Sequence, residues 1–268
     1  MKRLFLVLLL VGCAFAGLPG TQPAGLRDPA KKDVAMQLVS AAENSSLDWK
    51  AQYAYIEYNA EHNEKENRGY TAGIIGFTSR TGDMLDLVEF YEKRFPANGL
   101  TPFLPALKKV NGTPSREGLG EAFEIAWKAA AKAPAFREAQ DHERDRVYFD
   151  PAVSRAVEDG LHELGQFIYY DAIVMHGDGD DPNSFGGIRS AALKRASPPS
   201  QGGDEVSYLH AFLDARKKAM KAEQGHQDTS RVDTMQRKLL KQGKLHLELP
   251  LAFSVYGDRY EIPERGRN

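Results

Sequence analysis

Glu43 stands where the sequence predicts the C-terminal end of a helix, and Glu61, Glu64 and Glu66 crowd the polar stretch between Asn59 and Arg68. A carboxyl group at the carbonyl end of a helix meets the negative pole of the helix dipole, and partial burial acts in the same sense. Both favour its protonated form. A proton donor of that kind, facing a second and ionised carboxylate, is what glycoside hydrolysis needs. One group protonates the leaving oxygen and the other works from the opposite face of the sugar. Periodicity alone, however, favours reading Glu43 as a solvated residue of a last helical turn.

Other chemistries are approached and missed. His142-Glu143-Arg144-Asp145-Arg146 opens like a zinc-protease helix, but arginine stands where the second histidine ligand belongs, and His162-Glu163-Leu164-Gly165-Gln166 fails similarly. Asp178-Gly179-Asp180 begins like a calcium loop, yet Pro182 takes the next ligand position and the closing glutamate is missing. No nucleophile elbow, P-loop or dinucleotide fingerprint is present. Cys13 is the single cysteine, and it lies before the expected cleavage site after Ala16, so disulfides, thiolate catalysis and cysteine-bound metals are excluded from the mature chain. Neither metal nor organic cofactor is expected.

The chain has 268 residues, 42% of them hydrophobic and 27% charged, enough for one large domain or two lobes with a real core. With 35 basic and 37 acidic residues and no basic stripe, it is a poor partner for nucleic acid. Lys2 and Arg3, the apolar Leu4 to Val11, and Ala14-Phe15-Ala16 read as an export signal spanning residues 1–16. Leu10-Val11-Gly12-Cys13 also resembles a lipobox, so lipid anchoring through Cys13 is the alternative to full secretion. No membrane span is expected in the body of the chain.

A Gly- and Pro-rich leader over 17–27 is expected to be flexible, followed by one domain over 28–262 and a short tail, 263–268. Asp28-Pro29 signals a helix start, with Val34, Leu38, Ala41 and Ala42 on one face as far as Asn44. Alternation at Tyr53 and Tyr55, and the Gly-flanked run Thr71 to Phe77, predict strands. Asp83 is expected to cap a helix bearing Met84, Leu87, Val88, Tyr91 and Phe95. Further helices are expected over 123–132, 152–175, 205–223 and 231–240. The class is α+β, mainly α-helical.

Long blocks then carry a resemblance. Ser40-Ala-Ala-Glu43-Asn-Ser-Ser-Leu-Asp-Trp49, Asn67-Arg-Gly-Tyr-Thr-Ala-Gly-Ile-Ile-Gly-Phe77 and Tyr169-Tyr-Asp-Ala-Ile-Val-Met-His-Gly177 resemble the family-46 chitosanases, as does Asp228-Thr-Ser-Arg-Val-Asp233. The likeness runs in order over roughly residues 25 to 260. It implies a two-lobed, lysozyme-like fold with a small antiparallel sheet in one lobe and a substrate cleft between the lobes. It further implies an inverting endo-hydrolase acting on β-1,4 bonds of chitosan and chito-oligosaccharides, and a single copy acting alone is expected.

The resemblance places Glu43 as general acid. The family's base is an aspartate two residues before the arginine of the Arg-Gly-Tyr-Thr block, and here that residue is Glu66. Glutamate keeps the carboxylate but adds a methylene, and the loop is longer than in familiar members, so Glu64 and Glu61 remain alternatives. Thr71 matches the threonine that helps hold the attacking water. Asp83, Arg68, Tyr55 and His226 match substrate-binding positions, Asp83 as partner of a glucosamine ammonium. Asp171, Arg216 and Arg231 match a buried charge network that reaches the acid. Trp49 and Trp127 read as core rather than as sugar platforms. A lysozyme-like peptidoglycan hydrolase, or a chitosan-binding protein with an impaired base loop, are the rival readings.

Overall fold

The structure, a computed structural model, describes residues 24–60, 62–63, 67–223 and 227–264; the export signal, the lipobox, Glu61, Glu64, Glu66 and His226 lie outside them. Two hydrophobic cores define two lobes.

Helix α1 (Pro29–Asn44) starts where Asp28 accepts hydrogen bonds from the backbone N–H groups of Ala30 and Lys31, at 2.9 and 3.1 Å. Such a cap contributes about 1 kcal/mol. Val34, Leu38, Ala41 and Ala42 are buried as expected. Ser45, at φ +50°, ends the helix and leaves Glu43 in its last turn. Residues 25–27, expected to belong to a flexible leader, are part of the folded lobe. Gly25–Arg27 forms a 3₁₀ turn, Leu26 is fully buried, and its N–H donates to Gln166 Oε1 at 2.7 Å.

Of the strand expected at Tyr53 and Tyr55, Tyr53 lies instead in a 3₁₀ segment, Trp49–Ala54, capped by Asp48 accepting from Ala51 N, while Tyr55 is extended. Strand β1 (Ile56–Tyr58) follows. The run Thr71 to Phe77 is a hairpin rather than one strand, with β2 (Tyr70–Ala72) and β3 (Phe77–Thr78) antiparallel and the sheet order β1-β2-β3. Gly73 makes that turn possible. Its φ is +78°, and a Cβ there would sit 2.5 Å from Gln140 Oε1, which instead accepts from Ile74 N.

The sheet lobe is completed by α2 (Asp83–Arg94), α3 (Leu104–Val110), α4 (Gly120–Ala130) and α5 (Pro134–Arg144). In α2, Gly82 takes the cap position and Asp83 is the first helical residue. Trp127 is fully buried between Phe123 and Phe136, and its indole N–H donates to Tyr53 O at 3.1 Å. It is core. Trp49 packs against both cores and donates to Asp33 at 3.0 Å.

A π-helical turn, Asp145–Phe149, returns the chain to the larger lobe. There the helix expected over 152–175 is two, α6 (Asp150–Glu158) and α7 (Glu163–His176). Gly160, at φ +79°, breaks them, and His162 N is taken up by Glu205 at 2.8 Å. Helices α8 (Phe185–Leu193), α9 (Glu205–Ala222) and α10 (Arg237–Lys241) complete the helical core, the last preceded by a π-helical segment, Arg231–Gln236. A second sheet, unforeseen from the sequence, pairs β4 (Leu251–Val255) with β5 (Asp258–Ile262) in this lobe.

The chain thus crosses between lobes after α1 and again after α5, and the two crossings are tied together. Tyr53 donates to Asp141 at 2.8 Å, Arg144 pairs with Asp141 at 2.7 Å, and Lys32 pairs with Asp145 at 2.6 Å.

Candidate active site

A cleft of about 800 Å³ opens between the lobes. Glu43, Arg231 and Tyr256 line it from the larger lobe, and Tyr55, Arg68 and Thr71 from the sheet lobe. Five of the residues expected in the site are therefore brought together.

The Glu43 side chain is 37% exposed, and Arg231 Nη1 meets its Oε1 at 2.5 Å. Behind it, Arg231 donates to Asp171 through Nε at 3.0 Å and Nη2 at 2.7 Å. Arg216 Nη1 and Gln236 Nε2 each donate to the same carboxylate at 2.6 Å. Asp171 and Arg216 are wholly buried and Arg231 nearly so. Two buried guanidiniums thus share the Asp171 carboxylate, and Arg231 also reaches Glu43 at the cleft surface. Burial would raise the Asp171 carboxyl, but Arg231 and Arg216 outweigh it and bring it down to about 2. Burial would also lower Arg231, yet Asp171 and Glu43 push its proton affinity up, so it stays charged.

That arrangement has a stability consequence. Because the folded value of Asp171 lies below its ordinary 3.8, its contribution is complete above that value. It is lost as pH falls from about 4 towards 2. Asp171→Asn removes the carboxylate shared by two buried cations, and is expected to cost about 3–5 kcal/mol. A melting temperature at pH 7 lower by on the order of 10 °C, with a flatter acid limb below pH 4, checks this.

On the facing wall, Thr71 sits in the central strand, opposite Glu57 and Thr78 in register. Its hydroxyl is buried and has no hydrogen-bond partner among the described residues. Tyr55 OH donates to Glu57 at 2.9 Å, and Arg68 is exposed at the rim.

Asp83 does not line this cleft segment. Its Oδ1 accepts from Thr78 N, Thr81 Oγ1 and Met84 N at 2.9, 2.7 and 3.0 Å, while Oδ2 has no hydrogen bond among the described residues. Burial raises the Asp83 carboxyl above its ordinary value. Tyr148, with its phenol pushed up to about 12 by burial and by Asp83, lies within electrostatic reach of both Asp83 and Arg68. Tyr148, Glu223 and Tyr256 were not singled out from the sequence. Of these, only Tyr256 carries a local signal, the aromatic in Val255-Tyr256-Gly257-Asp258.

Glu143 and Arg144 of the first near-zinc motif are buried in ion pairs, Glu143 with Arg146 at 2.6 Å and Arg144 with Asp141. Glu163 of the second pairs with His246 at 2.7 Å. Asp178 pairs with Arg155.

Glu43 thus stands on one wall of an inter-lobe cleft, in contact with a buried arginine, and on the other wall is Thr71, whose buried hydroxyl has no partner among the described residues. Comparison with known proteins gives the family. The model for glycosyl hydrolase family 46 matches residues 37–251. The chain is 63% identical over 239 residues to a chitosanase of Streptomyces sp. (strain N174), covering 89% of this chain and 84% of that one. It is 36% identical over 238 residues to a chitosanase of Bacillus subtilis (strain 168), covering 85% and 83%. Among solved structures, a co-crystal of chitosanase OU01 with substrate superposes with a TM-score of 0.83 at 56% identity, covering 89% of this chain and 99% of that one. A family-46 chitosanase of Gynuella sunshinyii in complex with chitotetraose gives 0.76 at 35% identity, covering 87% and 98%. This chain belongs to glycosyl hydrolase family 46.

Proposed function

We infer that this chain is a chitosanase that cuts β-1,4 bonds within chitosan by single displacement. The observation that carries the reading is Glu43. It is held on the cleft wall by Arg231 and a buried charge network, in a chain 63% identical to a chitosanase. Glu43 acts as general acid. Arg231 occupies Oε1 and leaves Oε2 to carry the proton to the departing glycosidic oxygen, so the guanidinium fixes the direction of transfer.

Glu66 acts as base, removing a proton from the water that attacks the opposite face of the sugar. The Thr71 hydroxyl, buried and without a partner among the described residues, is a ready anchor for that water. Inversion requires room for the water between the two carboxyl groups, about 6.5–9.5 Å in the productive complex.

Tyr55, Arg68 and His226 contact the substrate, and Asp83 receives a glucosamine ammonium on its uncommitted Oδ2. A free ammonium needs a carboxylate, whereas an acetamide brings bulk and no charge. Asp83→Asn is expected to raise KM for fully deacetylated chitosan by about tenfold, as for the loss of one charge-assisted contact. Kinetics on chitosans of graded acetylation check it. Since the Asp83 carboxyl is raised, the wild type should lose this contact on acidification at a higher pH than an ordinary aspartate would.

The N-terminal segment supports export, as a single domain released from its signal or held by Cys13. No helix among the described residues is long and apolar enough to cross a membrane.

The test is reducing-end release by the wild type from highly deacetylated chitosan, beside chitin and bacterial cell walls. Cleavage of chitosan alone supports the reading. Cell-wall lysis without chitosan cleavage, or binding without new reducing ends, would sink it.

A further inference from the structure

β4 and β5 are joined by two residues only, since Val255 pairs with Asp258. The joining residues, Tyr256 and Gly257, both have positive φ, +52° and +89°, as a type I′ hairpin turn requires. Such turns favour Asn-Gly or Gly-Gly. In the left-handed conformation an L side chain crowds the following carbonyl, and a bulky aromatic is poorly suited to it. Gly257 follows the rule and Tyr256 breaks it.

The surrounding structure holds the strained residue in place. Tyr256 N donates to Ser230 Oγ at 2.8 Å, and Thr234 Oγ1 donates to Ser254 O at 2.6 Å. Both bonds pin the turn to the segment that carries Arg231. Tyr256 is nevertheless 44% exposed, and it lines the cleft with Glu43 and Arg231. Strain of this kind persists where the structure over-determines it, and an exposed ring beside the acid gives it a use.

We propose that Tyr256 is a sugar-binding residue of the cleft, its strained turn aiming the ring at a glucosamine unit next to the scissile bond. The inference rests on the chitosanase reading. The ring offers a flat apolar surface to the C–H face of a pyranose, and the phenol a hydrogen bond to a hydroxyl. Burial raises the phenol above its ordinary value, so its O–H stays a neutral donor.

The test compares Tyr256→Asn, which installs the residue the turn prefers, with Tyr256→Phe. On glucosamine hexamer, Tyr256→Asn is expected to raise KM roughly three- to tenfold with kcat within about twofold of wild type. Its melting temperature should hold or rise by about 2–4 °C as strain is relieved. Tyr256→Phe keeps the ring and loses only the phenol hydrogen bond, so its KM should rise less than that of Tyr256→Asn. A wild-type KM in Tyr256→Asn overturns the proposal, as does a lowered melting temperature with unchanged KM, which would make the ring a packing element. If the wild type leaves chitosan uncut, the functional reading fails. Calorimetric binding of the hexamer to wild type and Tyr256→Asn then still decides the role of the tyrosine, equal affinities overturning it.

Discussion

Glu43→Gln is expected to lower kcat on highly deacetylated chitosan about 10²–10⁴-fold, the range that a general acid contributes. Glutamine matches glutamate in size, and its amide oxygen can still accept from Arg231 Nη1, so the wall of the cleft keeps its shape. What disappears is the proton for the leaving oxygen. Arg231 also keeps three contacts of 3.0 Å or less with Asp171. The melting temperature should therefore shift far less than for Asp171→Asn. Affinity for glucosamine hexamer should stay near wild type, because the acid transfers a proton rather than holding the sugar. Reducing-end assays, calorimetry and thermal unfolding on one preparation separate these effects. Retention of a tenth or more of wild-type kcat would place the acid elsewhere.

How far the sequence foretold this site depends on whether each signal was local. Asp28-Pro29 and the apolar face behind it located α1 and with it Glu43, because a cap and a 3.6-residue period are properties of neighbouring residues. Asp171, Arg216 and Arg231 come from α7, α9 and a π-helical segment, and no spacing relates them. Only the resemblance joined them. The alternation of Tyr53 and Tyr55 suggests a strand, yet Tyr53 lies in the 3₁₀ segment at Trp49–Ala54, for which the decisive signal is the cap at Asp48. The single helix expected over 152–175 failed because Asp159-Gly160 breaks it while the apolar pattern continues on both sides. The β4–β5 hairpin, by contrast, was readable. Leu251, Phe253 and Val255 are buried alternately with Ala252 and Ser254, and Tyr256-Gly257 supplies the turn. Its aromatic in a place meant for asparagine hid the turn and marked the residue of interest.

Glu66→Gln should remove activity to a similar degree, about 10²–10⁴-fold, while Glu64→Gln and Glu61→Gln should keep more than roughly half of it. The argument for Glu66 is one of tethering. Asn67, the next residue, is buried and bonded on three sides. Its side chain accepts from Gly69 N at 2.8 Å and donates to Tyr58 OH at 3.3 Å, and its carbonyl accepts from Arg80 at 3.0 Å. Tyr58 and Tyr70 close the sheet across the same point, one residue before Thr71. Chain connectivity keeps residue 66 one peptide unit, about 3.8 Å between Cα atoms, from that fixed asparagine. Glu64 and Glu61 stand three and six residues before Asn67 and further along the chain from Thr71, whose hydroxyl would hold the water. A base must stay within hydrogen-bond reach of its water, and a misplacement of about 1 Å can cost 10²-fold. Glu66→Asp therefore measures how far this loop has adapted to the longer side chain. A drop of about tenfold to hundredfold would show a loop set for glutamate, and wild-type activity would show one that tolerates either carboxylate. If Glu66→Gln stays active and Glu64→Gln does not, the tether argument fails and the base lies two residues earlier.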